Sequence, residues 1–284
     1  MSASSLDEKY ERLQGVLREL RSVAVAFSGG ADSALVLKTA IDALGAGNVV
    51  AVTGRSDSLA KSEFAQCQRL AADLGVEHVA LDTDEFDDPN YTKNPTNRCY
   101  YCKDHLYDHM ARFIAERGLH TIVSGTNADD LGDYRPGIEA AKQHHVRSPL
   151  AEAGLTKDDV RALSLRLGLP THDKPASPCL SSRIPYGEPV TPEKLRMIEA
   201  AEAFLHDMGI KECRVRHHDT LARIEVPKEW IAALAEPETA ARIDVHFRSL
   251  GYKYVSLDLR GFRSGALNEV IPLAVAERLR TTAP

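Results

Sequence analysis

The 284-residue sequence has no apolar run approaching the ~20 residues that a membrane-spanning helix requires; charges or glycines interrupt the longest ones. Internal repeats and low-complexity tracts are also missing. With 43% apolar and 27% charged residues, the composition excludes a disordered or collagen-like chain. Basic residues are in the minority: 35 Lys and Arg stand against 41 Asp and Glu, for a net charge of -6. Such a balance argues against a protein whose main work is gripping a phosphate backbone, although a local basic groove is compatible with it. There are only five cysteines, Cys67, Cys99, Cys102, Cys179 and Cys213. An odd count in a chain of this length does not make a disulfide framework, and the N-terminal MSASSLDEKYERL is too polar for a secretory signal. The expectation is a cytoplasmic protein whose thiols serve as metal ligands, catalytic groups or core filler.

The first part of the chain alternates two periodicities. Short apolar runs at 22–27, 48–54, 77–83 and 121–126 read as strands, and the stretches 6–20, 32–44, 59–74 and 103–117 as helices. Strands separated by helices of this length indicate βαβ units and a parallel sheet. Ligands of such sheets lie at the carboxyl ends of the strands, which is where Ser28, Gly54, Asp82 and Ser124 fall. The stretch 168–192 holds six prolines and no periodicity, and reads as a long ordered loop. Beyond it the pattern is a helix (193–208), strands (211–217 and 221–226), a helical stretch (228–249) and a strand (252–259). That is the pattern of a small α+β domain with a few antiparallel strands.

AFSGGADS at 26–33 follows a strand and opens a helix. Its glycines permit a tight turn, and backbone N–H groups at a helix start attract anions. Ser28 and Ser33 add hydroxyl donors. The chain lacks the GK[ST] ending of a Walker A loop, and a plain glycine-rich helix cap is the alternative for the glycines alone. SGTNADDLGDYRPG at 124–137 is a second strand-end motif. Any one of Asn127, Asp129, Asp130 and Asp133 is a natural cap for a following helix.

SGGxDS resembles the signature of the PP-loop ATP pyrophosphatases. That superfamily includes GMP synthetase, NAD synthetase and several tRNA thiolation enzymes, and its fold is the adenine nucleotide alpha hydrolase-like α/β sheet. The remaining motifs narrow the resemblance. AFSGGADS, RCYYCK, SGTNADD, DYRPG, CLSSRIPYG, RVRHHDTLARIEVP and SLDLRGFRSG together are similar to the LarE family of ATP-dependent sulfur transferases, over about residues 10–265. The resemblance implies a PP-loop domain at 1–185 and a small α+β substrate-binding and oligomerisation domain at 186–284. It implies that a carboxylate of a nicotinate-derived mononucleotide is adenylated by ATP and its oxygen replaced by sulfur, in the biosynthesis of a nickel-pincer nucleotide cofactor. By the same resemblance, Ser28, Gly29, Gly30, Asp32 and Ser33 hold the departing pyrophosphate, and Gly125, Thr126, Asp130 and Arg135 complete the nucleotide site. Magnesium normally accompanies such chemistry, with Asp32 or Asp130 as ligand. The expected partners are a small nucleotide substrate and further copies of the chain, with no membrane and no nucleic acid.

Cys99 and Cys102 form a C-x-x-C pair, and Cys179 lies in the proline-rich loop. From the residues alone the pair is a redox couple or half of a zinc site, but no second C-x-x-C completes the latter. The resemblance offers two sulfur-transfer chemistries. In one, three cysteines hold a 4Fe-4S cluster with one iron left open, and Cys99, Cys102 and Cys179 match that pattern. In the other, the sulfur of Cys179 itself is sacrificed. Cys67 and Cys213 read as small buried hydrophobes.

Period-two geometry puts Arg214 and Arg216 on one strand face. They are either a cradle for the substrate's 5′-phosphate, which the resemblance favours, or a salt-bridge lattice with Glu225. Arg263 is a lesser candidate for the same task. Arg183 and Ser181, beside Cys179, are placed to orient the adenylated intermediate. The competing readings are a PP-loop tRNA thiolation enzyme, disfavoured by the acidic charge, and a nucleotide-binding regulator without chemistry.

Overall fold

A computed structural model describes residues 5–132 and 136–263. In chain order these form α1 (Leu6–Glu19), β1 (Val23–Ala26), α2 (Ala31–Leu44), β2 (Val49–Arg55), α3 (Lys61–Asp73), β3 (Glu77–Asp82), α4 (Pro89–Thr92), α5 (Arg98–Arg117), β4 (Thr121–Val123), α6 (Pro136–Gln143), α7 (Pro149–Glu152), α8 (Lys157–Arg166), α9 (Pro192–Asp207), β5 (Arg214–His218), β6 (Leu221–Glu225), α10 (Lys228–Ala235), α11 (Pro237–Ser249) and β7 (Tyr254–Leu257). They cluster into two units, residues 5–85 with 97–177, and residues 86–96 with 178–263. No helix among the described residues is long and apolar enough to cross a membrane.

The first unit is an α/β sheet in the order β3-β2-β1-β4, with every neighbouring pair parallel. Alternate residues of a strand face opposite sides. Val23, Val25, Val49 and Ala51 therefore pack with Leu13 and Leu17 of α1 and Leu35 and Leu37 of α2, while Ala24, Val50 and Val52 pack with Leu106, Tyr107 and Met110 of α5. With both faces covered, the strands read as continuous apolar runs. The second and third strands lie on one side of β1 and the fourth on the other. That reversal places the loops after β1 and β4 on either side of the switch point, the general ligand site of such sheets.

Helix α5 begins at Arg98, five residues earlier than its apolar periodicity predicts, so Cys99 and Cys102 stand within its first five residues. Periodicity cannot register an amphipathic start whose side chains, Cys99 to Lys103, stay at the surface or half-buried.

The second unit has a three-stranded sheet in the order β5-β6-β7. The expectation of antiparallel strands holds for β5 with β6 but is corrected for β6 with β7, which run parallel. The reason is the connection: β6 and β7 are joined by α10 and α11, and a helical crossover returns the chain in its original direction. The single helical stretch expected at 228–249 is these two helices. Pro237 opens the second, and the residue before a proline is pushed to extended backbone, as Glu236 is (φ -60, ψ 136). The core of the unit gathers Leu205, Val215, Ile224, Leu234, Ile243 and Phe247.

Residues 178–185, assigned to the first domain by sequence, cluster with the second unit, and so do 86–96. These two segments are stitched together. Asn94 Nδ2 donates to Pro185 O (2.8 Å), Gly187 N donates to Asn94 O (2.9 Å), and the Tyr91 and Ser181 hydroxyls lie 2.8 Å apart. A single boundary along the chain cannot include a segment borrowed from 90 residues upstream.

Candidate functional site

At the end of β1 the chain makes one more ladder bond, Phe27 N to Val52 O (2.8 Å), and then turns through Ser28, Gly29 and Gly30 into α2. Gly29 has φ +67, and a Cβ there would lie 2.9 Å from Cys67 Sγ on α3. A residue with a side chain would be strained twice, by backbone and by contact. Cys67 is fully buried beneath the loop, and burial pushes its thiol pKa up. Gly30 caps α2 without a side-chain hydrogen bond, so side chains leave the first-turn N–H groups open to an anion. The hydroxyls of Ser28 and Ser33 lie 3.2 Å apart; Ser33 Oγ accepts from Ser28 N (3.3 Å) and donates to Gly30 O (3.2 Å).

The loop after β4 presses against this turn. A Cβ on Gly125 would lie 2.7 Å from Ser33 N and 3.0 Å from the Asp32 carbonyl carbon. Thr126 Oγ1 lies 3.1 Å from Ser124 Oγ. Asn127, 2% exposed, donates through Nδ2 to Asp32 Oδ1 (3.0 Å), and its own Oδ1 accepts from the backbone N–H of Asp129 (3.0 Å) and Asp130 (3.3 Å). Asp130 Oδ2 in turn accepts from Asn127 N (3.1 Å). The other Asp32 oxygen pairs with Lys157 Nζ at the start of α8, while Lys157 N donates to Asp129 Oδ2 (2.8 Å).

Ser28, Gly29, Gly30, Asp32, Ser33, Gly125, Thr126 and Asp130, all named from sequence, thus lie on the two touching loops at the strand ends of the first unit. Arg135, like Asp133, lies outside the described residues. Lys157, Lys174 and Glu63 belong to the same neighbourhood and carried no motif that singled them out; only the Thr156-x-x-Asp159 capping box, which presents Lys157, has a readable signature.

Cys99 is exposed and Cys102 half-buried in the first unit; Cys179, half-buried, precedes the short turn Leu180–Arg183 in the second. Among the described residues, no three His, Cys, Asp or Glu side chains gather as a group that could hold a metal ion. Cys67 and Cys213 are both wholly buried, as expected of core residues.

In the second unit Arg183 is buried. Its Nε and Nη2 bind the two oxygens of Glu202 (3.0 and 2.9 Å), and its Nη1 donates to Pro178 O (2.5 Å), Cys179 O (3.0 Å) and Ser182 Oγ (3.1 Å). Burial opposes its charge, but the Glu202 carboxylate outweighs that and raises its pKa. The side chain therefore shapes the main chain on both sides of Cys179. Arg216 is buried as well, with Nη2 on Glu225 Oε2 (2.8 Å) and Nη1 on Ser182 O (2.9 Å). This is the ion pair that the lattice reading foresaw. Arg214, half-buried, lies over the Phe262 ring (5.2 Å) and donates to Cys213 O (2.6 Å); burial and then the neighbouring Arg183 charge lower its pKa. Arg263 donates to Gly261 O (2.9 Å) beside Asp258.

A parallel α/β sheet whose Ser-Gly-Gly turn and second glycine loop flank its switch point has the PP-loop fold, the adenine nucleotide alpha hydrolase-like class. Comparison with known proteins agrees. No family model matches the chain. The chain is 46% identical over 266 residues to an uncharacterized protein of Synechocystis sp., covering 94% of this chain and 99% of that one. It is 39% identical over 271 residues to the pyridinium-3,5-bisthiocarboxylic acid mononucleotide synthase of Lactiplantibacillus plantarum, covering 95% and 98%. A GMP synthase of Bdellovibrio bacteriovorus is 30% identical over 220 residues, 68% of this chain and 41% of that enzyme. The chain is an enzyme and belongs to the LarE family, that of the pyridinium-3,5-bisthiocarboxylic acid mononucleotide synthases.

Proposed function

We propose that the chain adenylates a carboxylate of a nicotinate-derived mononucleotide with ATP and exchanges the activated oxygen for sulfur. The observation that carries this reading is the open first turn of α2, hemmed by Gly29 and Gly125, within a chain so similar to a bisthiocarboxylic acid mononucleotide synthase.

A carboxylate oxygen is a poor leaving group. Its attack on the α-phosphorus of ATP expels pyrophosphate and yields an acyl adenylate. A sulfur nucleophile then attacks the acyl carbon, and AMP departs with the original oxygen. Ser28, Gly29, Gly30 and Ser33 hold the departing pyrophosphate, with Gly125 and Thr126 closing the other wall. Magnesium, when bound, offsets phosphate charge. The hard oxygens of Asp32 or Asp130 fit it, and Lys157 and Asn127 now hold the Asp32 carboxylate in place. Arg214 is the proposed phosphate ligand for the mononucleotide; Arg216, buried on Glu225 and Ser182 O, braces the strand beside it, and Arg183 is a positioning residue for the chain around Cys179.

For the sulfur, the donor chemistry of Cys99, Cys102 and Cys179 suits a 4Fe-4S cluster with one open iron. Iron analysis of anaerobically prepared protein tests that route. Loss of one H2S from the chain per turnover, at Cys179, is the signature of the sacrificial one.

Incubation with ATP, the mononucleotide and sulfide is expected to release pyrophosphate and AMP in equal amounts, with one oxygen-to-sulfur exchange in the product. Ser28→Ala removes a hydrogen bond to a charged phosphate, about 1.5–3 kcal/mol, and should slow pyrophosphate release about ten- to hundredfold without unfolding the chain. Unchanged release in that variant would refute the loop assignment.

A further inference from the structure

The segment that leads to Cys179 is fastened to the phosphate loop by one lysine. Lys174 Nζ directs its three donors at three acceptors: Gly29 O of the loop (3.1 Å), Glu63 Oε2 (2.7 Å) and Gln66 Oε1 (2.8 Å) of α3. Ser177 Oγ donates to the second oxygen of Glu63 (3.0 Å). Glu63 therefore grips the segment at two points three residues apart. The Lys174 and Glu63 side chains are 16% and 20% exposed, so the pair is better shielded than a surface ion pair.

The consequence follows from peptide geometry. In a trans peptide the C=O of one residue and the N–H of the next point in opposite directions. With the Gly29 carbonyl turned onto Lys174, the Gly30 N–H points away from it, presented as a donor by a turn that only glycine adopts without strain (φ +67). An anion on that N–H pulls on the 29–30 peptide, and Lys174 links that peptide to Glu63, Ser177 and the chain that reaches Cys179 two residues on.

We propose that Lys174 is a positioning residue that couples phosphate binding at the loop to the presentation of Cys179. The inference rests on the proposed function, in which ATP phosphates occupy the loop and Cys179 handles sulfur. The coupling readies the thiol while ATP phosphates occupy the loop, ahead of the sulfur-transfer step.

The test reads Cys179 directly. The full-length protein is alkylated with iodoacetamide with and without saturating ATP, saturation being set by calorimetry, and the Cys179 peptide is followed by mass spectrometry. In the unaltered chain ATP should change the alkylation rate about fivefold or more, the lower range of typical coupling between two sites. Lys174→Met should abolish this response at saturating ATP, and Lys174→Arg, which keeps the charge, should retain most of it. If Lys174→Met fails to fold, Ser177→Ala takes its place, since it deletes one hydrogen bond and leaves the ion pair; at least half of the response should disappear. A response in Lys174→Met equal to that of the unaltered chain overturns the proposal. So does an unaltered chain that binds ATP with no change at Cys179, and that result leaves the proposed function standing. A chain that binds no ATP overturns the nucleotide reading and the coupling with it.

Discussion

A methyl group at Gly125 would lie 2.7 Å from the Ser33 nitrogen and 3.0 Å from the Asp32 carbonyl carbon. Both are backbone atoms at the start of a packed helix and cannot swing aside. Gly125→Ala is therefore expected to destabilise the chain by about 1–3 kcal/mol, the usual cost of overpacking, and to weaken ATP binding, as read by urea unfolding and calorimetry. An alanine variant with normal stability and affinity would show that the two loops do not need this contact. Gly29 differs in kind, because there the obstacle is the Cys67 side chain together with a positive φ. The serines and glycines of the loop were legible because their spacing is a motif. Lys157 and Lys174 were not, because each meets its partner across more than a hundred residues of chain, and nothing local marks a lysine as the one that reaches Asp32 or Gly29. Arg216 was legible only as one of two readings. Strand alternation gave its face, but the buried Glu225 beside it decided its partner.

Among the elements, α8 shows how a helix start builds part of a site. Thr156 Oγ1 accepts from Asp159 N while Asp159 Oδ2 accepts from Thr156 N (2.9 Å), a reciprocal capping box, and Lys9 of α1 closes on the same Asp159 oxygen. Lys157 is the first residue inside this cap. Thr156→Ala should cost about 1 kcal/mol of stability, the typical value of an N-cap. It should also weaken ATP binding by loosening Lys157 against Asp32, while Lys157→Ala should leave the cap and its stability intact. Equal ATP affinity in Thr156→Ala and the unaltered chain would separate the cap from the site. Element positions were largely readable: β1 to β3 and α1 to α3 fall within two or three residues of their periodic signals. Helices α6 to α8 had no counterpart in the periodic reading, and two further departures have local causes. Helix α5 starts early on surface residues, and α11 begins where Pro237 forbids α10 to continue.

For the molecule as a whole, acid should act first through the second unit. His217 is 2% exposed, and burial pushes its pKa down to about 4. The folded chain therefore refuses a proton that the unfolded chain accepts near pH 6.5, so stability falls as pH drops through the interval between those values. Between pH 6.5 and 5 the loss should be about 2 kcal/mol. Half-buried His78, whose pKa desolvation also lowers, adds in the same direction. Asp84, which its hydrogen bonds to His109 and His105 hold at about 2, stays ionised through this window and does not contribute. Urea unfolding at the two pH values checks this, and His217→Gln should remove most of the difference. An unchanged pH slope in that variant would place the acid sensitivity elsewhere.

Composition and periodicity were enough to establish an α/β sheet with a glycine-rich strand-end loop and a smaller α+β unit, because apolar spacing and glycine turns act over a few residues at a time. Residue order along the chain also carried the family, since its motifs are contiguous strings. The pairing of β6 with β7, the transfer of 86–96 to the second unit, and the lysines that hold Asp32 and Gly29 came only from the folded chain. Each depends on which distant groups share one desolvated neighbourhood, and a linear pattern does not contain that distance.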